Sequence, residues 1–222
     1  MADSFAWEIC QPDRRRTKAY GVTNPKASVL ISKEGDQPEF VEVPMALGRE
    51  LARLKKQNEA NPRTRQEVLA LIDSVEAKVA WQQLVRMIES RDRTANDVAE
   101  KLKQQGFGAH VAHEVVQRAE DSGLISNKRF ASAFVRSKIS AGWGIQRIEQ
   151  ELKRRGVDVS SLEGWPYEYL DPDDERARAT RIASKKVVKE PNRYAKMVRF
   201  LLGRGFSYGI ATSVADDVVS RH

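Results

Sequence analysis

Three stretches of this chain end in the same way, and that recurrence limits the fold more than any other feature of the sequence. Val98, Leu102, Gly106 and Phe107 return as Ile148, Leu152, Gly156 and Val157, and again as Met197, Leu201, Gly205 and Phe206. Each copy sets a large apolar residue eight before a glycine, a leucine four before it and an apolar residue after it. This is the pattern of a short amphipathic helix stopped by a glycine in the left-handed conformation, with the next side chain folded back on the last turn. The flanks recur too. Trp81, Leu84 and Val85 match Phe130, Ala133 and Phe134, then Ala179, Ile182 and Ala183, and predict a helix ahead of each copy. Val111, Ala112, Val115, Val116 and Ala119 predict a third helix, matched by Ile210, Ala211, Val214, Ala215 and Val218. The middle copy has Ser161, Leu162, Trp165 and Pro166 there, so its third helix must be short or broken. One unit of about 50 residues buries little core alone, and neighbours must stack. The expected fold is mainly α, an elongated array of three tandem three-helix repeats.

Ahead of the repeats the signals change. Residues 1–25 include Arg14, Arg15 and Arg16, lack periodicity and read as a flexible basic tail. Ala27–Ile31 and Glu39–Val43 alternate in polarity around Gly35, Asp36 and Pro38, which predicts a small β-hairpin. Met45, Leu47, Leu51 and Leu54 predict a helix over 44–57. Asn61 suits a helix cap and Pro62 the first turn after it, and Val68, Leu69, Ile72, Val75 and Val79 trace one face of the helix that follows. The expected division is a tail over 1–25, a hairpin and helix extension over 26–60, a linker helix and the first repeat over 61–126, the second repeat over 127–170 and the third over 171–222.

Charge follows the same division. The net +7 is absent from residues 1–126, where 19 basic side chains face 19 acidic ones, and is carried whole by 127–222. Within that half, 127–157 is +6, 158–175 is −7 and 176–222 is +8. Two basic blocks thus flank an acidic, proline-containing connector. The candidate contacts for a polyanion or an acidic protein surface are Arg129, Arg136, Lys138, Arg147, Arg154 and Arg155 in one block. In the other they are Arg178, Arg181, Lys185, Lys186, Arg193 and Arg199. No apolar run approaches the ~20 residues of a membrane span. The opening residues have the wrong order for a secretory signal, and the lone Cys10 makes no disulfide or thiolate cage. A cytoplasmic protein is expected, with no cofactor.

Other motifs have plainer readings. Phe130 and Phe134 are spaced as core residues, whereas Trp143, between two glycines ahead of a helix, suits either a base-stacking platform or a plug between units. Gly142, Trp143 and Gly144 lack the strand and third glycine of a phosphate loop. His110 and His113 share a helix face without further ligands to complete a metal site. Asp173-Asp174 and Asp216-Asp217 point to different faces, not to a catalytic pair. No nucleophile and base come together, so the chain reads as a non-enzyme.

On these residues the chain resembles the RecX family of bacterial regulatory proteins. The first copy carries Arg91, Arg93 and Thr94 ahead of Asp97, Val98 and Leu102. The middle copy carries Phe130, Ala131, Phe134, Val135 and Arg136, then Gly142, Trp143 and Gly144, then Glu151, Leu152 and Gly156. The third carries Lys185, Lys186, Leu201, Arg204, Gly205, Phe206 and Ile210. The resemblance covers about residues 80–220; Asn127 stands where the family usually has Asp. It implies a monomeric regulator that binds RecA, or the RecA filament on single-stranded DNA, and restrains strand exchange, ATP hydrolysis and coprotease activity in DNA repair and the SOS response. Direct contact with single- or double-stranded DNA is a further expectation. The alternatives are a helix-turn-helix DNA-binding regulator and a scaffold without a nucleic-acid role.

Overall fold

The structure is a computed structural model that describes residues 5–12, 24–33, 35–169 and 171–220. It forms two compact units, Met1–Ile125 and Ser126–His222. In the first, strands β1 (Phe5–Cys10), β2 (Lys26–Lys33) and β3 (Glu39–Pro44) make an antiparallel sheet in that order, with Trp7 opposite Ile31 and Val29 opposite Val41. The sheet therefore has three strands where two are expected, and the extra one comes from the opening residues read as tail. Trp7 is buried while Ala6, Glu8 and Cys10 face out, so a two-residue alternation is present over only six residues, too short to stand out. The expected tail arginines 14–16 lie outside the described residues.

Helix α1 (Met45–Lys56) buries Leu47 and Leu51 in the core that also holds Ala27, Val29 and Val43. Helix α2 (Arg65–Ser90) starts after Thr64, not at the expected Asn61–Pro62. The Thr64 hydroxyl accepts the Glu67 N–H at 3.2 Å, and Glu67 takes the Arg63 N–H at 2.8 Å. That pair of caps fixes the first turn at Thr64, which the Asn61–Pro62 pair cannot do from three residues upstream. Over its 26 residues α2 supplies both the linker and the first helix of the first repeat. Helices α3 (Ala95–Gln104) and α4 (Ala109–Asp121) complete that repeat.

The second unit holds α5 (Asn127–Ser140), α6 (Ile145–Arg154), a 3-10 turn (Val159–Ser161), α7 (Pro172–Ser184), α8 (Arg193–Gly203) and α9 (Tyr208–Val219). Ser126, beside Asn127, caps α5 by accepting the Arg129 N–H. Among the described residues the middle repeat has a 3-10 turn in place of a third helix. Leu162, Trp165 and Tyr169 fill that side of its core, and the Trp165 indole N–H is satisfied by Glu149 at 3.0 Å. The third repeat has a complete core around Leu201 and Phe206.

The three glycine turns share one geometry. Gly106, Gly156 and Gly205 have φ of +95°, +74° and +88°. In each, the residue after the glycine donates its N–H to the leucine carbonyl (Phe107 to Leu102, Val157 to Leu152, Phe206 to Leu201) at 2.9–3.2 Å. The glycine N–H closes a second, inner ring in all three. Leu152 is fully buried, and we expect Leu152→Ala to cost about 2–5 kcal/mol through the cavity it leaves. Urea denaturation followed by far-ultraviolet circular dichroism measures it.

Candidate interaction surface

Helix α6 begins at Gly144, which has no side chain with which to cap it. Its first N–H groups are satisfied from the third repeat instead. Gly144 N–H donates to the Arg204 carbonyl at 2.9 Å, Gln146 N–H to the Gly205 carbonyl at 3.1 Å, and Ile145 N–H to the Glu175 carboxylate at 2.9 Å. The contact needs bare glycines on both sides. A Cβ at Gly144 would overlap the Gly205 carbonyl, and one at Gly205 would overlap Arg147. Three arginines tie the same seam. Arg178 Nε donates to the Trp143 carbonyl at 3.0 Å, Arg147 to Gly203 and Arg204 to Ala141.

This seam corrects one sequence expectation. Arg178 is only 3% exposed and is not available to a polyanion. Burial pushes its guanidinium pKa down, against the pull of Glu175 and Asp174, and one of its terminal nitrogens has no hydrogen-bond partner among the described residues. Such a buried cation is held by its surroundings and is costly to disturb.

Lys186 lies 5.4 Å from the Phe200 centroid in the third repeat, and three further candidates lean on the rings of the middle repeat. Phe130 and Phe134 stack with centroids 5.7 Å apart, and Trp143 meets Phe134 edge-on at 6.4 Å. Arg147 lies 3.9 Å from the Trp143 centroid and Lys138 4.8 Å from it, while Arg155 sits over both phenylalanines. These cations are half-buried, and their aliphatic stems cover the aromatic ladder. Arg154 and Arg155 both hold Glu151, and the Arg154 hydrogen bond, followed by that of Arg155, keeps the Glu151 carboxyl below its usual pKa. Arg193 is half-buried and faces Glu190 at 3.8 Å. Arg129, Arg136, Arg181, Lys185, Lys186 and Arg199 are exposed. Arg129 and Arg136, seven residues apart, share the outer face of α5.

The third helices present a different chemistry. The exposed face of α4 carries His110, His113, Glu114, Gln117 and Asp121. His110 stands 3.9 Å from Glu114, and no group of three metal-ligating side chains forms among the described residues. The exposed face of α9 carries Tyr208, Asp216 and Asp217, the last paired with Arg176 at 2.9 Å. Two exposed aromatics, Tyr194 and Tyr208, escape a sequence reading because they fall at the first turns of α8 and α9, outside the periodic positions. No helix of the described residues is long and apolar enough to cross a membrane.

Family models describe two of these repeats. The first three-helix domain of RecX matches residues 80–118 and the second matches 126–160. A regulatory protein RecX of Mycobacterium sp. (strain KMS) is 34% identical over 142 residues, covering 61% of this chain and 77% of its own length. One from Legionella pneumophila (strain Corby) is 28% identical over 147 residues, covering 64% and 97%. The crystal structure of RecX from Lactobacillus salivarius superposes with a TM-score of 0.57 at 21% identity, over 66% of this chain and 99% of that one. A second crystal structure of a regulatory protein RecX gives 0.59 at 17% identity, over 85% and 94%. Both share the helical-repeat fold.

The Glu151 cluster sets a pH dependence. Its depressed pKa means that the pairing stabilises the fold at neutral pH and is lost as the pH falls below about 4.5 through the lower folded value. Glu151→Gln should cost about 0.2–1 kcal/mol at pH 7. The gap from the unaltered protein should shrink with acidification, as read by urea midpoints across the pH series.

Proposed function

This chain belongs to the RecX family of regulatory proteins, and we propose that it binds the RecA recombinase, free or as its filament on single-stranded DNA, and restrains its activities. The observation that carries this reading is the placement of charge. The whole +7 falls in the second unit, and exposed cations lie on the first and second helices of its repeats, as Arg136 on α5, Arg181 on α7 and Arg199 on α8, and in the α7–α8 loop, as Lys185 and Lys186. Those side chains suit the acidic protein surface or the phosphates of a nucleoprotein filament. Contacts by several repeats of one chain reinforce each other through effective concentration. The activity is regulatory, without bond chemistry of its own, and the protein acts as a cytoplasmic monomer in the repair and SOS responses.

The helix-turn-helix alternative is less well supported. In that motif the helix after the turn enters the major groove and meets bases. Where the third helix of a unit is the one after the turn, as for α4 and α9, its exposed face carries Glu114 and Asp121 or Asp216 and Asp217, which phosphates repel. Among the described residues the middle repeat has no third helix.

Titration of this protein into a DNA-dependent RecA ATPase assay at two salt concentrations tests the proposal. Inhibition that weakens with salt is expected, and a rate unchanged at stoichiometric protein sinks it. Arg136→Glu combined with Arg199→Glu should raise the half-inhibitory concentration about tenfold with helix content unchanged, each charge pair contributing about 0.7 kcal/mol. Reversal at Arg154 and Arg155 should do less, because Glu151 already holds both. Capture of RecA that persists after nuclease treatment separates protein contact from pure DNA binding.

A further inference from the structure

The middle repeat shows what the end face of a repeat can hold: its α5–α6 loop and the start of α6 receive the Glu175 carboxylate and two main-chain carbonyls from the third repeat. The third repeat has the same face, 49 residues on, at the α7–α8 loop and the start of α8. No further repeat can occupy it in the same way. Pro191 and Arg193 stand where the middle repeat has Gly142 and Gly144. A Cβ at Gly144 already overlaps the docked turn, and one at Gly142 crowds Ile182, so the side chains of Pro191 and Arg193 close this face to that packing. The residues around it are nonetheless exposed. Tyr194 is 40% exposed and Tyr208 69%, although both are large and partly apolar. They stand on α8 and α9, which pack against each other, and desolvation, then Asp216 and Tyr208, raise the pKa of the Tyr194 hydroxyl. Residues 185–199 carry six cationic side chains against one carboxylate, Glu190. Lys196 takes the place of Arg147 and folds its ammonium onto the Lys189 carbonyl at 3.0 Å.

We infer that this end face, built from Tyr194, Tyr208, Arg193 and Lys196, is a docking surface for an acidic segment of a partner protein. Tyrosine and arginine supply large contact area with polar tips, the composition of interface hot spots. The surrounding cations complement carboxylates and set the approach of an acidic chain. Two observations favour a protein over a nucleic-acid strand. The corresponding face of the middle repeat is occupied by protein groups, the Glu175 carboxylate and the main-chain carbonyls of Arg204 and Gly205. Asp216 is also exposed on α9, the helix that carries Tyr208, and its charge reaches Tyr194; a protein can set a donor against it, whereas the sugar-phosphate backbone of DNA has none. The inference goes beyond regulation of the recombinase: it names a surface and the chemistry of its occupant, and it can fail or hold whatever the outcome of the ATPase titration.

The test is direct and omits the recombinase. Fluorescence anisotropy of a fluorescein-labelled twelve-residue polyglutamate peptide and of a labelled twelve-nucleotide oligothymidylate is measured against the full chain. The variants are Tyr194→Ala with Lys196→Glu and, as a control of similar charge change in the first unit, Lys56→Glu. The expected result is peptide binding weakened about tenfold by the double variant, unchanged by Lys56→Glu, with a smaller effect on the oligonucleotide. Amide chemical shifts of the unaltered chain should move at residues 192–196 and 208 on adding peptide, which requires no variant to fold. Absence of peptide binding, equal binding by the double variant, or peptide-induced shifts confined to other residues overturns the inference. Equal loss of both probes, or loss of the oligonucleotide alone, overturns it in favour of a non-selective or nucleic-acid surface.

Discussion

The second unit depends on a helix that cannot cap itself. Gly144 brings no oxygen to the first turn of α6, so the N–H groups of Gly144, Ile145 and Gln146 find their acceptors in the third repeat. Unmet, those groups would cost on the order of 1–3 kcal/mol each once buried. The requirement fixes much else: bare glycines on both sides of the seam, a glutamate at 175 and an arginine at 178 held by the Trp143 carbonyl. The first repeat solves the same problem locally, with Thr94 accepting the Asp97 N–H at the start of α3. Equivalent helices in one chain are thus closed by opposite means, one from its own sequence and one from its neighbour.

The seam also sorts the arginines. Positive charge in this unit has three uses: Arg178 holds the interface, Arg147 and Arg155 cover aromatic rings, and residues such as Arg136 and Arg199 stand in solvent. A guanidinium is suited to all three, because its planar head stacks as readily as it donates. Net charge is therefore a poor guide to available charge, and the surface that a partner meets is narrower than +7 suggests.

That difference explains what could be read from the sequence. The helical-repeat fold was legible because leucine, glycine and apolar residue recur at fixed offsets, and each offset has one economical backbone solution. The third strand was hidden because β1 alternates over only six residues and is followed by arginines. The start of α2 was misplaced because two cap signals lie three residues apart, and only the Thr64 side chain closes on Glu67. The surface was harder still. Arg147 and Arg136 look alike in sequence, and what separates them is Trp143 and Gly203, which approach Arg147 only after folding. Tyr194 and Tyr208 lie outside the periodic positions, so their exposure has no sequence signature.

Because the start of α6 is completed by residues 175, 204 and 205, the middle repeat is not a portable part. A fragment that ends in the connector near residue 170 would retain every residue of its own core and still lack three acceptors and the glycine turn seated on them. Grafting this repeat into another helical array would require the incoming neighbour to bring a left-handed glycine and a carboxylate at the matching spacing. Chain length between the two repeats is therefore as constrained as their sequences, and an insertion in α8 would shift Gly205 off its seat by about 1.5 Å per residue.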